Sequence, residues 1–284
     1  MLPNNKILIV GGDSNLAKNF SLFLKKKKIK FVKTTRRRKN KNFMDLTKVE
    51  NFKIPINISS AVIFAYQNNI AFCEENYKKA YLINVKNIIK LIKKLLAKKI
   101  FILFISTNLV FDNSKKKRLE STKTRPITNY GKMKSICENK IIKYCEKNNL
   151  NNYYSILRIS KVLSHEINPI KMWIDNIKRK NVMLIPNDIY CCPIDLNSLN
   201  QTIFKIARNF YKGIFHLSGS KEYTYYDLAK KIFGTKNNLK LFRPINSKKL
   251  SKTIYNSKIK TFLSIGRNSQ KIGIKKIKLS KIKK

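Results

Sequence analysis

The stretch Lys99-Ile100-Phe101-Ile102-Leu103-Phe104-Ile105-Ser106-Thr107 decides the fold. A continuous apolar run that ends in two hydroxyls suits a strand buried on both faces, as happens in a parallel sheet covered by helices. A hydroxyl at the carboxyl end of such a strand lies where open α/β sheets bind their ligands.

Working outward, apolar runs and helical stripes alternate. Lys6 to Val10 reads as a first strand, Leu16 to Leu24 as a helix, Phe31-Val32 as a second strand and Ser60 to Ala65 as a third. Tyr77, Tyr81, Leu82, Val85, Ile88, Ile89, Ile92, Leu95 and Leu96 form the apolar stripe of one long helix. Tyr153 to Leu157 is a further strand. Repeated βα units of this kind imply a doubly wound, Rossmann-type parallel sheet. Past Leu163 the texture changes: short strands at Met183 to Ile185 and Ile214 to Leu217 alternate with helices such as Thr224 to Phe233, which Thr224 and Asp227 can cap. The expected division is a nucleotide-binding domain over 1–162 and a smaller α/β subdomain over 163–284, with some segments returning to the main sheet.

Tyr130-Gly131-Lys132-Met133-Lys134 puts a phenol and an ammonium one turn apart on one helix face. An ammonium held near a phenol lowers its pKa from roughly 10. The phenol then serves as a proton donor and acceptor near neutral pH. Together with Thr107, these groups suit reduction of a carbonyl over a nucleotide site.

The first strand runs into Gly11-Gly12-Asp13-Ser14-Asn15-Leu16-Ala17. A tight turn opening a helix aims backbone N–H groups and the helix dipole at a pyrophosphate. Ser14 and Ala17 stand where a GxxGxxG pattern has its later glycines. No acid lies between Asp13 and Asp45, so the carboxylate that pairs with a ribose 2′-OH is missing. Thr35-Arg36-Arg37-Arg38 stands there instead, and guanidinium forks match a 2′-phosphate. The expected cofactor is therefore NADP(H), with NAD(H) the alternative, and Arg36 ahead of Arg37 as the phosphate contact.

Composition sets wide bounds. Lys and Arg number 62 against 15 Asp and Glu, a net charge of +47. Such a field attracts polyanions. The same Lys, Ile and Asn load is also what a low-GC genome produces. The basic runs Lys25 to Lys28, Arg36 to Arg38, Lys115 to Arg118 and the end from Lys275 lack the interleaved aromatics of a base-stacking platform. No specific nucleic-acid partner is expected. The five cysteines show no metal-ligand spacing and read as reduced thiols in a cytoplasmic setting, so no metal is expected. Lysines throughout Tyr81 to Phe111 argue against a membrane span, and no signal peptide is expected. His216, on a strand, reads as a core histidine, while Met172 and Trp173 suit either packing or sugar stacking.

These residues carry a resemblance to the extended short-chain dehydrogenase/reductase superfamily and, within it, to the dTDP-4-dehydrorhamnose reductase family. Ser106-Thr107-Asn108-Leu109-Val110-Phe111-Asp112 is similar to that family's STDYVFDG. Glu120, Pro126, Tyr130, Lys134 and Glu138 follow its E…P…YGxxKxxxE order. Leu157-Arg158-Ile159-Ser160, Asn84-Val85, Cys192-Pro193-Ile194 with Leu199, and Gly213 to Gly219 resemble further family strings. Asn108, Asn113, Ser14 and Thr128 depart from the pattern.

The resemblance implies hydride transfer to the ketone of a nucleotide-activated 4-keto-6-deoxy sugar, in the making of cell-surface polysaccharide precursors. Tyr130 donates the proton, Lys134 holds the ribose, and Thr107 binds the carbonyl oxygen. It implies a cofactor site of Gly11, Asp13, Ser14, Asn15, Leu16, Arg36, Arg37, Asp45, Leu46, Ala65, Tyr66, Tyr130 and Lys134. Asn108, Val110, Cys191 and Cys192 are the implied substrate contacts. The Asp-Glu pair of the dehydratases is absent, Asn108-Leu109 standing in its place. An epimerase, a non-catalytic binding or regulatory subunit, and nucleic-acid binding through the lysines are the alternatives; a homodimer is left open.

Overall fold

The computed structural model describes residues 5–40, 42–112, 118–249, 263 and 265–279. Asn113, Lys115 to Lys117 of the third basic run and the tail at 280–284 lie outside the described residues.

Strands β1 (Lys6–Val10), β2 (Phe31–Lys33), β3 (Ile58–Ile63), β4 (Phe101–Thr107) and β5 (Tyr154–Ile159) alternate with helices α1 (Asn15–Lys26), α2 (Ile70–Glu75), α3 (Tyr77–Tyr81), α4 (Ile88–Ala97) and α5 (Asn129–Lys147). All seven residues of β4 are buried, which accounts for its unbroken apolar run. Along the sheet, Leu8, Val10, Ala61, Ile63, Ile102 and Phe104 face α4 and α5, while Ile7, Ile9, Val62, Leu103 and Ile105 face the opposite layer. The two-residue alternation of strands thus feeds a core on each side.

The path from Tyr77 to Ala97 is not uniformly α-helical. Leu82–Asn87 forms a π-helical segment between α3 and α4. Its wider turn leaves Asn84 free to act locally: Asn84 accepts from Gln67 N–H at 2.8 Å, donates to the Gln67 carbonyl at 3.0 Å, and its own carbonyl accepts the Cys137 thiol at 3.1 Å. Such π segments concentrate at functional sites. Here it fixes the loop that follows β3.

Beyond residue 160 the strands are short: β6 (Val162–Leu163), β7 (Met183–Pro186), β8 (Tyr190–Cys191), β9 (Ile194–Asp195), β10 (Gly213–Leu217), β11 (Tyr223–Thr224) and β12 (Phe242–Ile245). Between and after them lie α6 (Ile170–Lys178), α7 (Leu196–Asn209), α8 (Tyr225–Phe233), α9 (Lys236–Leu239) and α10 (Arg267–Lys271). β10 joins the main sheet, whose order is β10-β5-β4-β3-β1-β2 with every pairing parallel. α7 packs with α1 on the same layer. A separate core gathers Trp173, Met183, Ile185, Leu228 and Phe242, with Trp173 edge-on to Tyr225 and Phe233. The direction of chain winding reverses between β1 and β3. That switch point is where an open α/β sheet forms its crevice.

A buried polar network ties α5 to β5 and α10. Arg158 donates to Glu138 from Nε at 3.1 Å and from Nη2 at 2.7 Å, and Nη1 donates to the Glu120 carbonyl at 3.2 Å. Ser106 hydrogen-bonds Glu138, and Glu120 accepts from Ser269. His216 is fully buried with Nε2 3.4 Å from Arg158 Nη1, a core histidine. Glu120, Glu138 and His216 therefore serve the frame rather than the crevice.

Candidate active site

A cleft of about 1280 Å³ runs over the carboxyl ends of β1, β3, β4 and β5 and on between them and the β7–α8 lobe. It exceeds the roughly 300–1,000 Å³ that holds one small ligand.

One end is built by the β1–α1 turn. Gly11 has φ +85°, and a Cβ there would come within 2.6 Å of the Ala65 backbone, so only glycine lets the two strand ends meet. Ser14 caps α1 by accepting from Ala17 N–H at 3.4 Å. The cap leaves the N-terminus of α1, lined by Ser14, Asn15 and Leu16, open to the cleft. Asp13 turns toward β2, taking the Thr35 hydroxyl at 3.1 Å and Arg36 N–H at 2.8 Å. Burial works against ionisation of Asp13, but these donors and the nearby arginines hold it below the usual carboxylate range. Asp45, Leu46, Ala65 and Tyr66 also line the cleft, and Asp45 is occupied by Thr47 at 2.7 and 2.8 Å.

The arginine run needs one correction. All three arginines are exposed; Arg36 and Arg38 line the cleft, whereas Arg37 between them does not. The chain bends at Arg36 and turns at Arg38, where Asn40 N–H bonds the Arg37 carbonyl at 3.0 Å, so which side chains meet the cleft is set by the turn.

Thr107, Tyr130 and Lys134 all line the middle of the cleft. Thr107 closes β4 and caps the turn Asn108–Val110 by accepting from Leu109 N–H at 3.2 Å, while its hydroxyl donates to Asn108 Oδ1 at 3.3 Å. Tyr130 sits in the first turn of α5, which Thr128 caps through Gly131 N–H at 3.1 Å. A Cβ on Gly131 would run into the Leu109 carbonyl, so glycine lets α5 press against the turn after Thr107.

The electrostatics differ from the sequence expectation. Desolvation, reinforced by Cys73, raises the Tyr130 phenol above its ordinary value instead of lowering it. Burial lowers the Lys134 ammonium from 10.5 to about 7, against the pull of Cys137 and Glu138. Lys134 Nζ donates to the Ile105 carbonyl at 2.7 Å, so its charge is directed at β4. Proximity along a helix did not produce the expected phenol–ammonium pair.

On the substrate side, Asn108 and Cys191 line the cleft, whereas Val110 and Cys192 do not. Val110 is fully buried and packs with Phe111 and Leu263. Cys192 donates its thiol to the Gly219 carbonyl at 3.1 Å. Cys191 thus borders the cleft from within the Trp173 core, and Cys192 turns to the Gly219 loop. Trp173 both anchors the lobe and lines the cleft, joined there by Met172, Tyr190, Tyr225 and Lys161. Sequence reasoning missed Lys161. The rule that pointed to Thr107 at the end of β4 applies equally to the residues just past β5. Among the described residues no cluster of His, Cys, Asp and Glu is placed to hold a metal ion.

A doubly wound parallel sheet with hydroxyl, phenol and ammonium over its switch-point cleft is the arrangement of the extended short-chain dehydrogenase/reductases. Within that class the chain belongs to the RmlD substrate binding domain family, whose model matches residues 5–274. A dTDP-4-dehydrorhamnose reductase orthologue from Clostridium acetobutylicum has a similar structure, with 24% identity, 97% of this chain and 96% of that chain covered, and a TM-score of 0.79. The dTDP-4-dehydrorhamnose reductase of Bacillus anthracis, solved in complex with NADP, is 19% identical over 97% of this chain and 95% of that chain, with a TM-score of 0.81. A dTDP-glucose 4,6-dehydratase from Streptomyces venezuelae, solved with NAD, is 12% identical over 98% and 94%, with a TM-score of 0.74. No curated protein matches the sequence significantly. The fold is thus common to reductases and dehydratases.

Proposed function

We propose that the protein is an NADP(H)-dependent reductase of the keto group of a nucleotide-activated 4-keto-6-deoxy sugar, working in the cytoplasm on precursors of cell-surface polysaccharide. The observation that carries this reading is the meeting of Thr107, Tyr130 and Lys134 midway along one cleft, between the Gly11 turn with Arg36 and Arg38 at one end and the Trp173 lobe at the other. The size of the cleft suits a dinucleotide and a sugar nucleotide together.

The residues present fit a dinucleotide. Gly11 leaves room for close backbone approach, the free N-terminus of α1 offers N–H groups to a pyrophosphate, and Arg36 and Arg38 offer forks to a 2′-phosphate. Bound there, the nicotinamide would supply a hydride. Tyr130 would pass its proton to the ketone oxygen as the carbonyl becomes an alcohol, and Thr107 would hydrogen-bond that oxygen. Lys134 would turn from the Ile105 carbonyl toward the ribose and the phenol, and its ammonium would then favour the phenolate that Tyr130 becomes. Asn108-Leu109 in place of two acids supplies no carboxylate to abstract a sugar proton, which favours reduction over dehydration. Residues 1–162 would hold the cofactor and 163–284 mainly the substrate, with α7 and β10 lent to the main sheet. No helix among the described residues is long and apolar enough to cross a membrane.

The test is a panel of dTDP- and other nucleotide-linked 4-keto sugars with NADPH, following loss of the reduced-nicotinamide absorbance and the product alcohol. Stoichiometric oxidation with one keto sugar is expected. NADPH binding with no oxidation by any keto sugar would overturn the reductase reading and leave a binding subunit.

A further inference from the structure

Four cationic side chains line the cleft: Arg36, Arg38, Lys134 and Lys161. The first two stand at the dinucleotide end and Lys134 at its centre, so Lys161 is the single cation among the described residues on the wall of the substrate half. That wall is otherwise mostly apolar or aromatic, with Val162, Met172, Trp173, Leu184, Tyr190 and Tyr225, and its neutral polar groups include Ser160 and Asn168. Among the described residues the carboxylates that line the cleft are Asp13 and Asp45, which lie at the far end and already accept hydrogen bonds from Thr35, Arg36 and Thr47.

Lys161 has no carboxylate partner among the described residues, where the ion pairs join Arg118 and Arg125 to Asp112 and Arg158 to Glu138. Its titratable neighbour is Cys191, whose thiol burial pushes up to about 12 and so keeps neutral. Burial also presses the Lys161 ammonium below its ordinary value. Lys161 is half-buried at the edge of the cleft, and a partly desolvated cation there is stabilised by an anion that binds against it. Nothing of the described chain does so.

Its position is fixed by register. Thr107 pairs with Ile159 across β4 and β5, so Lys161 lies two residues past the neighbour of the Thr107 hydroxyl. Two extended residues span at most about 7 Å. A flexible four-carbon side chain from there reaches a sugar ring held at Thr107, or the phosphate next to it.

We infer that Lys161 is a specificity-determining residue that receives an anionic group of the sugar-nucleotide substrate. The inference rests on the sugar-nucleotide reading above, and its carboxylate arm would put an acidic sugar in place of the 6-deoxy sugar, whose C6 is a methyl group. Two parts of such a substrate carry anionic oxygen: the diphosphate of every nucleotide sugar, and a carboxylate on the ring of an acidic sugar.

Calorimetric titration of the NADPH-loaded protein with dTDP-glucose, UDP-glucose and UDP-glucuronate, in the unmutated, Lys161→Met, Lys161→Gln and Lys161→Arg forms, tests it. The Met and Gln variants are expected to weaken binding by about 10- to 100-fold, the worth of a charge-assisted contact, while Arg restores most of it and NADPH affinity stays unchanged. A loss shared by the glucose and glucuronate nucleotides assigns the contact to the diphosphate, and a loss confined to UDP-glucuronate assigns it to a ring carboxylate; either upholds the inference. Unchanged affinities in the Met and Gln variants overturn it. So does loss of NADPH binding in both, which would make Lys161 a structural residue. If the unmutated protein binds NADPH and none of the three nucleotide sugars, the sugar-nucleotide reading itself falls.

Discussion

The ammonium of Lys134 lies 3.6 Å from the ring centroid of Tyr66. Tyr66 in turn stands edge-on to Tyr130, ring centroids 5.5 Å apart at 88°. The aromatic face and the Ile105 carbonyl together hold the cation on the wall of the cleft. In this arrangement burial raises the Tyr130 phenol above its ordinary value. The Tyr66 hydroxyl is buried and makes no hydrogen bond among the described residues, so the ring acts here through its face and edge.

Replacing Tyr130 by Phe keeps the ring that packs on Tyr66 and removes the proton. Turnover is expected to fall by at least about 100-fold, the scale of a general acid, with NADPH affinity retained. Steady-state kinetics and cofactor titration check this, and near-normal reduction would remove the tyrosine from the mechanism.

Lys134 gives a pH signature. Burial lowers its pKa from 10.5 to about 7 in the folded protein. Above about pH 7 the unfolded chain therefore binds the extra proton, and stability gains with pH until the unfolded lysine titrates. Relative to Lys134→Met, the unmutated protein should become more stable as pH rises from 7 toward 9.0, where the thiols of Cys73 and Cys137 are half ionised in the unfolded chain of both forms. Urea unfolding across that window measures the difference; a flat difference would mean that Lys134 is solvated.

Cofactor choice separates the arginines. NADPH is expected to exceed NADH by roughly 10- to 100-fold in kcat/KM. Arg36→Ala with Arg38→Ala should abolish that preference with little change for NADH, while Arg37→Ala leaves it intact. Equal use of both cofactors by the unmutated protein would make the run surface charge.

The Glu138–Arg158 pair is 1% and 3% exposed, with N–O contact at 2.7 Å. Glu138→Ala would strand a buried guanidinium, and a loss of about 3–5 kcal/mol is expected in equilibrium unfolding. A loss within the error of the fit would show that water replaces the carboxylate.

The alternation of strands and helices was legible because it depends on local periodicity and on runs such as Phe101 to Ile105. Strand-end position was enough to put Thr107 at the cleft, and helical spacing enough to put Tyr130 and Lys134 on one element. The interruption of the Tyr77 to Ala97 helix was not legible, because Asn84 answers to Gln67 and Cys137, which lie on other segments. The same holds for side-chain direction. That Lys134 faces Tyr66, that Arg38 rather than Arg37 reaches the cleft, that Cys191 lines it while Val110 and Cys192 sink into the core, and that Lys161 stands alone on its wall were decided only by tertiary packing. Local spacing determines which residues share an element, whereas desolvation and the choice of partner come from chain segments distant in sequence that close around each group.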